Sequence, residues 1–244
     1  MSLLVVALAI VFAFSIEAMT GFGSIVLALS IGALVMDIPT LMTWLVPLNL
    51  LLTVPLTWRH RRQIQVSFLV RQVLPLMVIG TLGGVFLTPF LPPVWGKLGF
   101  AALICWFALR SLLSLNAPAM GNTQQRTVIL GAGVTHGLFA SGGPLLVYSL
   151  AKSQLEKAQF RATLLAVWLT LNLSLTLWFL FTGKLTAQAN TLLILAPCAI
   201  FGAWLGNSLH NKINANQFTK LVFGVLLLVG VMLLAASLIQ VINQ

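Results

Sequence analysis

Two short stretches of the chain gather the residues able to do chemistry. One reads Glu17-Ala-Met-Thr-Gly-Phe-Gly-Ser24, the other His136-Gly-Leu-Phe-Ala-Ser-Gly-Gly-Pro144, and Gly23 and Gly143 stand 120 positions apart. Each places a glycine-rich break inside an apolar run. A break frees backbone N–H and C=O groups, and in hydrocarbon it is tolerated only inside protein or beside a wet cavity. Each break also starts a new half-helix, whose free N–H groups and positive dipole end suit an anion without any buried Arg or Lys. Ser24 is expected to cap a helix from Ile25, and Pro144, with no N–H to lose, suits the first turn of a helix after Ser141. The hydroxyls of Thr20, Ser24 and Ser141 add donors, and Gly21, Gly23, Gly142 and Gly143 let a ligand approach the backbone. The competing reading is that these glycines only allow tight helix packing. Two breaks at matched positions favour a binding site.

Asn49 and Asn172 extend the pattern. Leu48-Asn49-Leu50 with Thr53 matches Leu171-Asn172-Leu173 with Thr176, and each Asn falls in the middle of an apolar run. An Asn amide can donate to a sulfonate or carboxylate oxygen, or hold two helices together. Thr53 and Thr176 line the same path or bond back to a helix carbonyl. Glu17 and His136 are the acid and the histidine found inside apolar runs, each just before a break. Intramembrane ionisable groups point to function by default. Glu17 carries a coupling proton, pairs with His136, or bonds backbone freed by the break. Arg161, opening the sixth run, guides anions or anchors the chain at the interface. Asp37 and Glu156 read as connector charges, and Trp44, Trp58, Trp95, Trp178 and Trp204 as interfacial anchors.

Enzymatic readings are weak. Ser141 and His136 have poor spacing for a dyad on one helix and no third group to orient the base. No phosphate loop, HExxH or metal-ligand cluster occurs, so no catalytic residue, cofactor or metal is expected. Cys105 and Cys198 lie in apolar runs and suggest no disulfide framework.

The elements that must position these residues are membrane helices. The chain has 244 residues, 59% hydrophobic and 7% charged. Apolar runs occur at about 3–35, 39–58, 66–90, 95–115, 126–151, 161–182, 187–209 and 217–241. The net charge of +10 sits in short connectors, as the positive-inside rule requires, and is no nucleic-acid footprint. The polar stretch 116–125 reads as a linker between repeats, 1–115 and 126–244. The N-terminal run has no basic flank and no clear cleavage site and is read as mature protein.

Topology follows from charge. If all eight runs simply cross, Arg59, Arg61, Arg62, Arg71, Arg110, Arg126 and Lys184 share one face, and Lys97, Lys152, Lys157, Arg161, Lys212 and Lys220 the other, with no bias. If runs one and five fold back at their breaks, only Lys97 and Lys184 of the 13 basic residues leave the cytoplasmic face. Each half is then a broken hairpin plus three spans. The halves are inverted, both termini lie in the periplasm, and the fold is an all-α polytopic membrane protein with the repeat architecture of secondary transporters.

The chain resembles the sulfite exporter TauE/SafE family over nearly its whole length, on Glu17 to Ser24, Phe139 to Pro144 and Phe160-Arg-Ala-Thr163. The first break departs from the family's form in having Phe22 and Ser24 where further glycines are common. The resemblance implies a small sulfur-containing anion (sulfite, thiosulfate or a sulfonate) moved across the bacterial inner membrane by alternating access. The expected substrate site is Thr20, Gly21, Gly23, Ser24, Asn49, Ser141, Gly142, Gly143 and Asn172, with Glu17, His136 and Arg161 as coupling or gating groups. Expected partners are the anion and membrane lipid, not nucleic acid, and assembly with further copies of the chain is left open. An anion leaving an interior-negative cell gains about 2.3 kcal/mol per charge per 100 mV, so export needs no coupled ion, whereas uptake would. The alternatives are an anion channel using the same site and a membrane accessory subunit that transports nothing.

Overall fold

A computed structural model describes residues 2–113, 121–150, 155–209 and 215–242. Part of the expected linker, 116–120, lies outside the described residues, as do Lys152 and Lys212, and so do the side chains of Lys157 and Lys220. Every regular element in the described residues is helical. Seven segments are long and apolar enough to cross a membrane: Ser2–Thr20, Ile38–Gln63, Val66–Phe90, Pro93–Leu112, Ala158–Phe181, Thr186–Leu209 and Val222–Ile242.

Both expected breaks divide their runs. The first yields α1 (Ser2–Thr20) and α2 (Ser24–Gly32), the second α7 (Asn122–Phe139) and α8 (Gly143–Leu150). With 9 and 8 residues, α2 and α8 are about 12–14 Å long at ~1.5 Å per residue, under half of a hydrocarbon core. Between the hairpins lie α3 (Ile38–His60), α4 (Val66–Phe68), which runs through a π-helical turn at Leu69–Val73 into α5 (Leu74–Leu87), and α6 (Pro93–Leu112). After the second hairpin come α9 (Lys157–Phe181), α10 (Ala189–Leu209) and α11 (Ala215–Ile242).

Asp37 and Glu156 are more than connector charges. The Asp37 carboxylate accepts from Thr40 N at 2.8 Å, and Glu156 forms a capping box with Gln159. That box starts α9 at Lys157, four residues before the apolar run read from sequence.

The helices pack crosswise between the halves. The long arm α1 lies on α10 and the long arm α7 on α5, while α3 pairs with α9 and α6 with α11. Glycines make the two arm contacts. A Cβ on Gly84 would stand 2.3 Å from Val134 O and 2.8 Å from Gly137 Cα, and one on Gly206 would stand 2.1 Å from Ser15 O. With few hydrophobic gains left between helices in lipid, such close backbone approach supplies the van der Waals attraction. The outer surface carries exposed Phe86, Phe181, Leu193 and Ile200, as a lipid-facing surface should. Trp58, Trp95 and Trp204 are exposed, but Trp44 is buried and its indole N–H donates to Gln188 Oε1 at 3.0 Å. Its grouping with interfacial anchors is thereby corrected.

Candidate functional site

At the first break the chain turns through left-handed backbone at Gly21 (φ 86°) and Gly23 (φ 108°), a region that L side chains avoid. Gly23, not Ser24, occupies the cap position of α2, and Ser24 is its first residue. The capping acceptor comes from the other arm: Glu17 Oε2 accepts from Ser24 N at 2.8 Å. A carboxylate beside a helix N-terminus meets free N–H groups and the positive dipole end together. Glu17 Oε1 accepts from Asn49 Nδ2 at 3.1 Å, and the same nitrogen donates to Ser24 Oγ at 2.8 Å. Asn172 Nδ2 then donates to Asn49 Oδ1 at 2.7 Å, joining the mid-span asparagines of the two halves. Glu17, Ser24, Asn49 and Asn172 are all at most 2% exposed. Of the roles weighed for Glu17, the bond to freed backbone is formed.

The second break is built differently. Ala140 turns the chain in left-handed backbone (φ 50°), its N–H still bonded to His136 O at 2.7 Å. Gly142 is pressed against α7, where a Cβ would meet Ala132 O at 2.3 Å. Gly143 opens α8 with Pro144 in its first turn. Ser141 is buried, and its hydroxyl has no partner. His136 is fully buried, both ring nitrogens unpartnered, and stacks on Trp168 with centroids 6.0 Å apart. The Glu17–His136 pair, one of the alternatives for Glu17, does not form, since Glu17 is occupied by amides and His136 faces an indole. Ser141 and His136 do not bond one another either, so no dyad is assembled.

The two tips line one cavity of about 20 Å³, with Gly23 and Glu17 on one side, Ser141 and Gly143 on the other, and Asn49, Asn172 and Trp168 across it. That is room for about one water. The buried groups around it are unequal. The side chains of Glu17, Ser24 and Asn49 from the first half are bonded; from the second, Ser141 Oγ, Trp168 Nε1, both His136 nitrogens and Asn172 Oδ1 have no partner. Buried polar atoms are rarely left so, and each unsatisfied one costs free energy until something binds it.

Besides Gly142, the expected residues Thr20, Gly21 and Arg161 fall outside the cavity lining. The Thr20 hydroxyl shares its proton between Ile16 O at 2.9 Å and Phe22 O at 2.8 Å, and Thr20 lines a neighbouring, largely apolar cavity with Phe22, Phe107 and Phe223 that meets the small one at Gly23 and Val26. Gly21 is covered by Arg161, whose Cγ lies 2.5 Å from where a Cβ would be. Arg161 Nη2 donates to Ala18 O, so the guanidinium caps the C-terminal end of α1 rather than entering the cavity. Thr53 and Thr176 bond back to Asn49 O at 3.0 Å and Asn172 O at 2.7 Å and carry no free donor to the path.

Trp168 is the site residue that sequence reasoning missed. Its signal was position: it lies mid-run, away from the interfacial tryptophans, and four residues before Asn172 on the same helix face.

A larger cavity of about 430 Å³ opens beside Lys184, lined by Thr40 and Thr43 of α3, Leu138 of α7, Leu175 of α9 and Thr182 just beyond its end. Leu175 stands within one turn of Asn172, so this vestibule ends close to the small cavity. At the opposite end of α9, Arg161 covers Gly21, and Thr163 Oγ1 accepts from Gln65 N at 3.1 Å.

Among the described residues no group of three or more His, Cys, Asp or Glu side chains is placed to hold a metal ion. No curated protein and no solved structure matches the chain. The family model for sulfite exporter TauE/SafE does match, over residues 6–233, nearly the whole of the membrane bundle just described, and the protein belongs to the sulfite exporter TauE/SafE family.

Proposed function

We propose that the protein is a secondary transporter that exports a small sulfur oxyanion (sulfite, thiosulfate or a sulfonate) across the bacterial inner membrane by alternating access. The observation that carries this reading is the set of unpartnered buried donors, Ser141 O–H and Trp168 N–H, beside the N-terminus of α8 in a cavity shared by both breaks. These groups suit an anion's oxygens, and the half-helix end adds positive potential without a buried cation.

An oxyanion needs more room than one water, so the tips part to admit it. The two crosswise arm contacts are the natural rocking bodies, because each ties one hairpin to the other half. The halves are read as inverted, which places the basic connectors in the cytoplasm and Lys184 with both termini in the periplasm. The vestibule beside Lys184 then faces outward, and Arg161 closes the cytoplasmic side.

The test is efflux of labelled sulfite and methanesulfonate from proteoliposomes. A carrier gives saturable efflux and counterflow. Unitary currents in a bilayer would assign an anion channel instead, and no flux of either anion would remove the sulfur assignment.

A further inference from the structure

The hydrogen bonds around Glu17 form a directed chain. Asn49 turns its Nδ2 toward both Glu17 Oε1 and Ser24 Oγ, so its Oδ1 faces Asn172. Asn172 must answer with its own Nδ2, which it does at 2.7 Å. The atom left over is Asn172 Oδ1, buried and unpartnered, on a residue that lines the cavity. An acceptor in that place repels the oxygens of an anion.

Every link in the chain can be reversed. With a proton on Oε1, Glu17 donates to Asn49 Oδ1 once that amide has turned over. Asn49 Nδ2 then donates to Asn172 Oδ1, and Asn172 Nδ2 takes the place of the orphan acceptor. The Ser24 hydroxyl both gives and accepts, so it rotates to donate to Asn49. Ser24 N continues to donate to Oε2. The amide bonds are replaced one for one, at the expense of the Ser24 hydroxyl's bond to the Glu17 carboxylate, and the free amide atom of Asn172 changes from acceptor to donor.

We infer that Glu17, Asn49 and Asn172 form a relay whose polarity is set by a proton on Glu17, so that the site takes up its anion together with one proton. The inference rests on the anion site proposed above and adds its coupling. Glu17 is the proton-binding group and acts through the two asparagines, which makes it a positioning residue for the anion. By linkage, whatever the proton does for the anion, the anion does for the proton. A monoanion bound this way adds no net charge to the site, so the coupling gives up the gain that a bare anion draws from the interior-negative potential on leaving the cell.

Other ionisable groups near Glu17 are few. The elements packed on α1 are α2, α3 and α10. α2 and α10 carry no charged side chain, though α10 holds the half-buried Cys198; α3 carries Arg59 and His60 in its last turn, and Asp37 caps its far end. From α9, Arg161 is engaged with Ala18 O, and from α7, His136 stands buried behind Trp168. His136 is therefore the rival proton acceptor.

The experiment measures binding of methanesulfonate and thiosulfate, both ionised at every pH used, to the purified full-length protein by equilibrium dialysis from acid to mildly alkaline pH. The relay requires affinity to fall about tenfold per pH unit above the titration of Glu17, the slope of one linked proton. Glu17→Gln, whose amide permanently donates to Asn49, should bind at the acid-limit affinity at every pH. His136→Asn should keep the wild-type slope. A flat wild-type profile overturns the relay, as does a slope lost in His136→Asn. Should Glu17→Gln fail to fold, the wild-type and His136→Asn profiles still decide. Absence of binding of both anions at every pH removes the anion site itself, and the relay with it.

Discussion

Asn172 donates its side-chain amide to Asn49 Oδ1 at 2.7 Å, a contact between residues 123 positions apart at the middle of the paired helices α3 and α9. It links the halves at the level of the breaks, and it is continuous with Glu17 through Asn49. Structure and site thus share a bond, and its removal should be felt in both.

Asn172→Ala leaves Asn49 Oδ1 buried without a donor, and Asn49→Ala leaves Glu17 Oε1 so. Each should lower stability by about 1–3 kcal/mol, the cost of an orphaned buried polar group. The double variant Asn49→Ala with Asn172→Ala should stay folded in detergent and lose anion binding. Thermal unfolding with and without anion checks this, and unchanged anion affinity would remove both residues from the site.

The unpartnered donors invert the usual balance of a core mutation. Ser141→Ala and Trp168→Phe delete groups that bond nothing in the protein. Ser141→Ala should change stability little and Trp168→Phe should cost only the lost packing of the indole on His136, while each lowers anion affinity roughly tenfold to a hundredfold, the worth of a hydrogen bond to a charged group. Dialysis binding of thiosulfate to each variant reads the effect. A loss of stability with no loss of affinity would make these groups structural.

Gly83 and Gly84 are neighbours with opposite surroundings. A Cβ on Gly83 meets nothing within 4 Å, whereas one on Gly84 meets Val134 O at 2.3 Å. Gly84→Ala should force α5 from α7 and cost about 1–3 kcal/mol, as overpacking does, while Gly83→Ala should be neutral or slightly stabilising. Melting temperatures of the two variants in one detergent give the comparison.

Arg161 covers the first break from its own side and caps α1 at Ala18. Arg161→Gln should loosen that cover. Thr20→Cys, in a chain with Cys105 and Cys198 replaced by Ala, should then react several-fold faster with an impermeant thiol reagent added at the face on which Arg161 lies. Equal labelling rates with Arg161 and with Gln would show that the side is closed by other groups.

Much of this protein was legible along the chain because a bilayer leaves few choices. Apolar runs must become helices, and a glycine break within one must be buried against protein or water. The positions of α1/α2, α7/α8 and the mid-span asparagines follow from that. Composition likewise marks a multi-pass membrane chain. What the chain could not show is which of several equivalent groups meets which. Gly142 and Gly143 are adjacent in sequence, yet one is packed on α7 and the other lines the cavity. Thr20 and Ser24 flank one break, yet Thr20 bonds its own turn and Ser24 joins Glu17 and Asn49. Glu17 and His136 sit at corresponding places, yet one is enclosed by amides and the other by Trp168. Only the tertiary structure decides these, because each turns on contacts between helices far apart in sequence, where a rotation of one side chain around its helix selects a different partner.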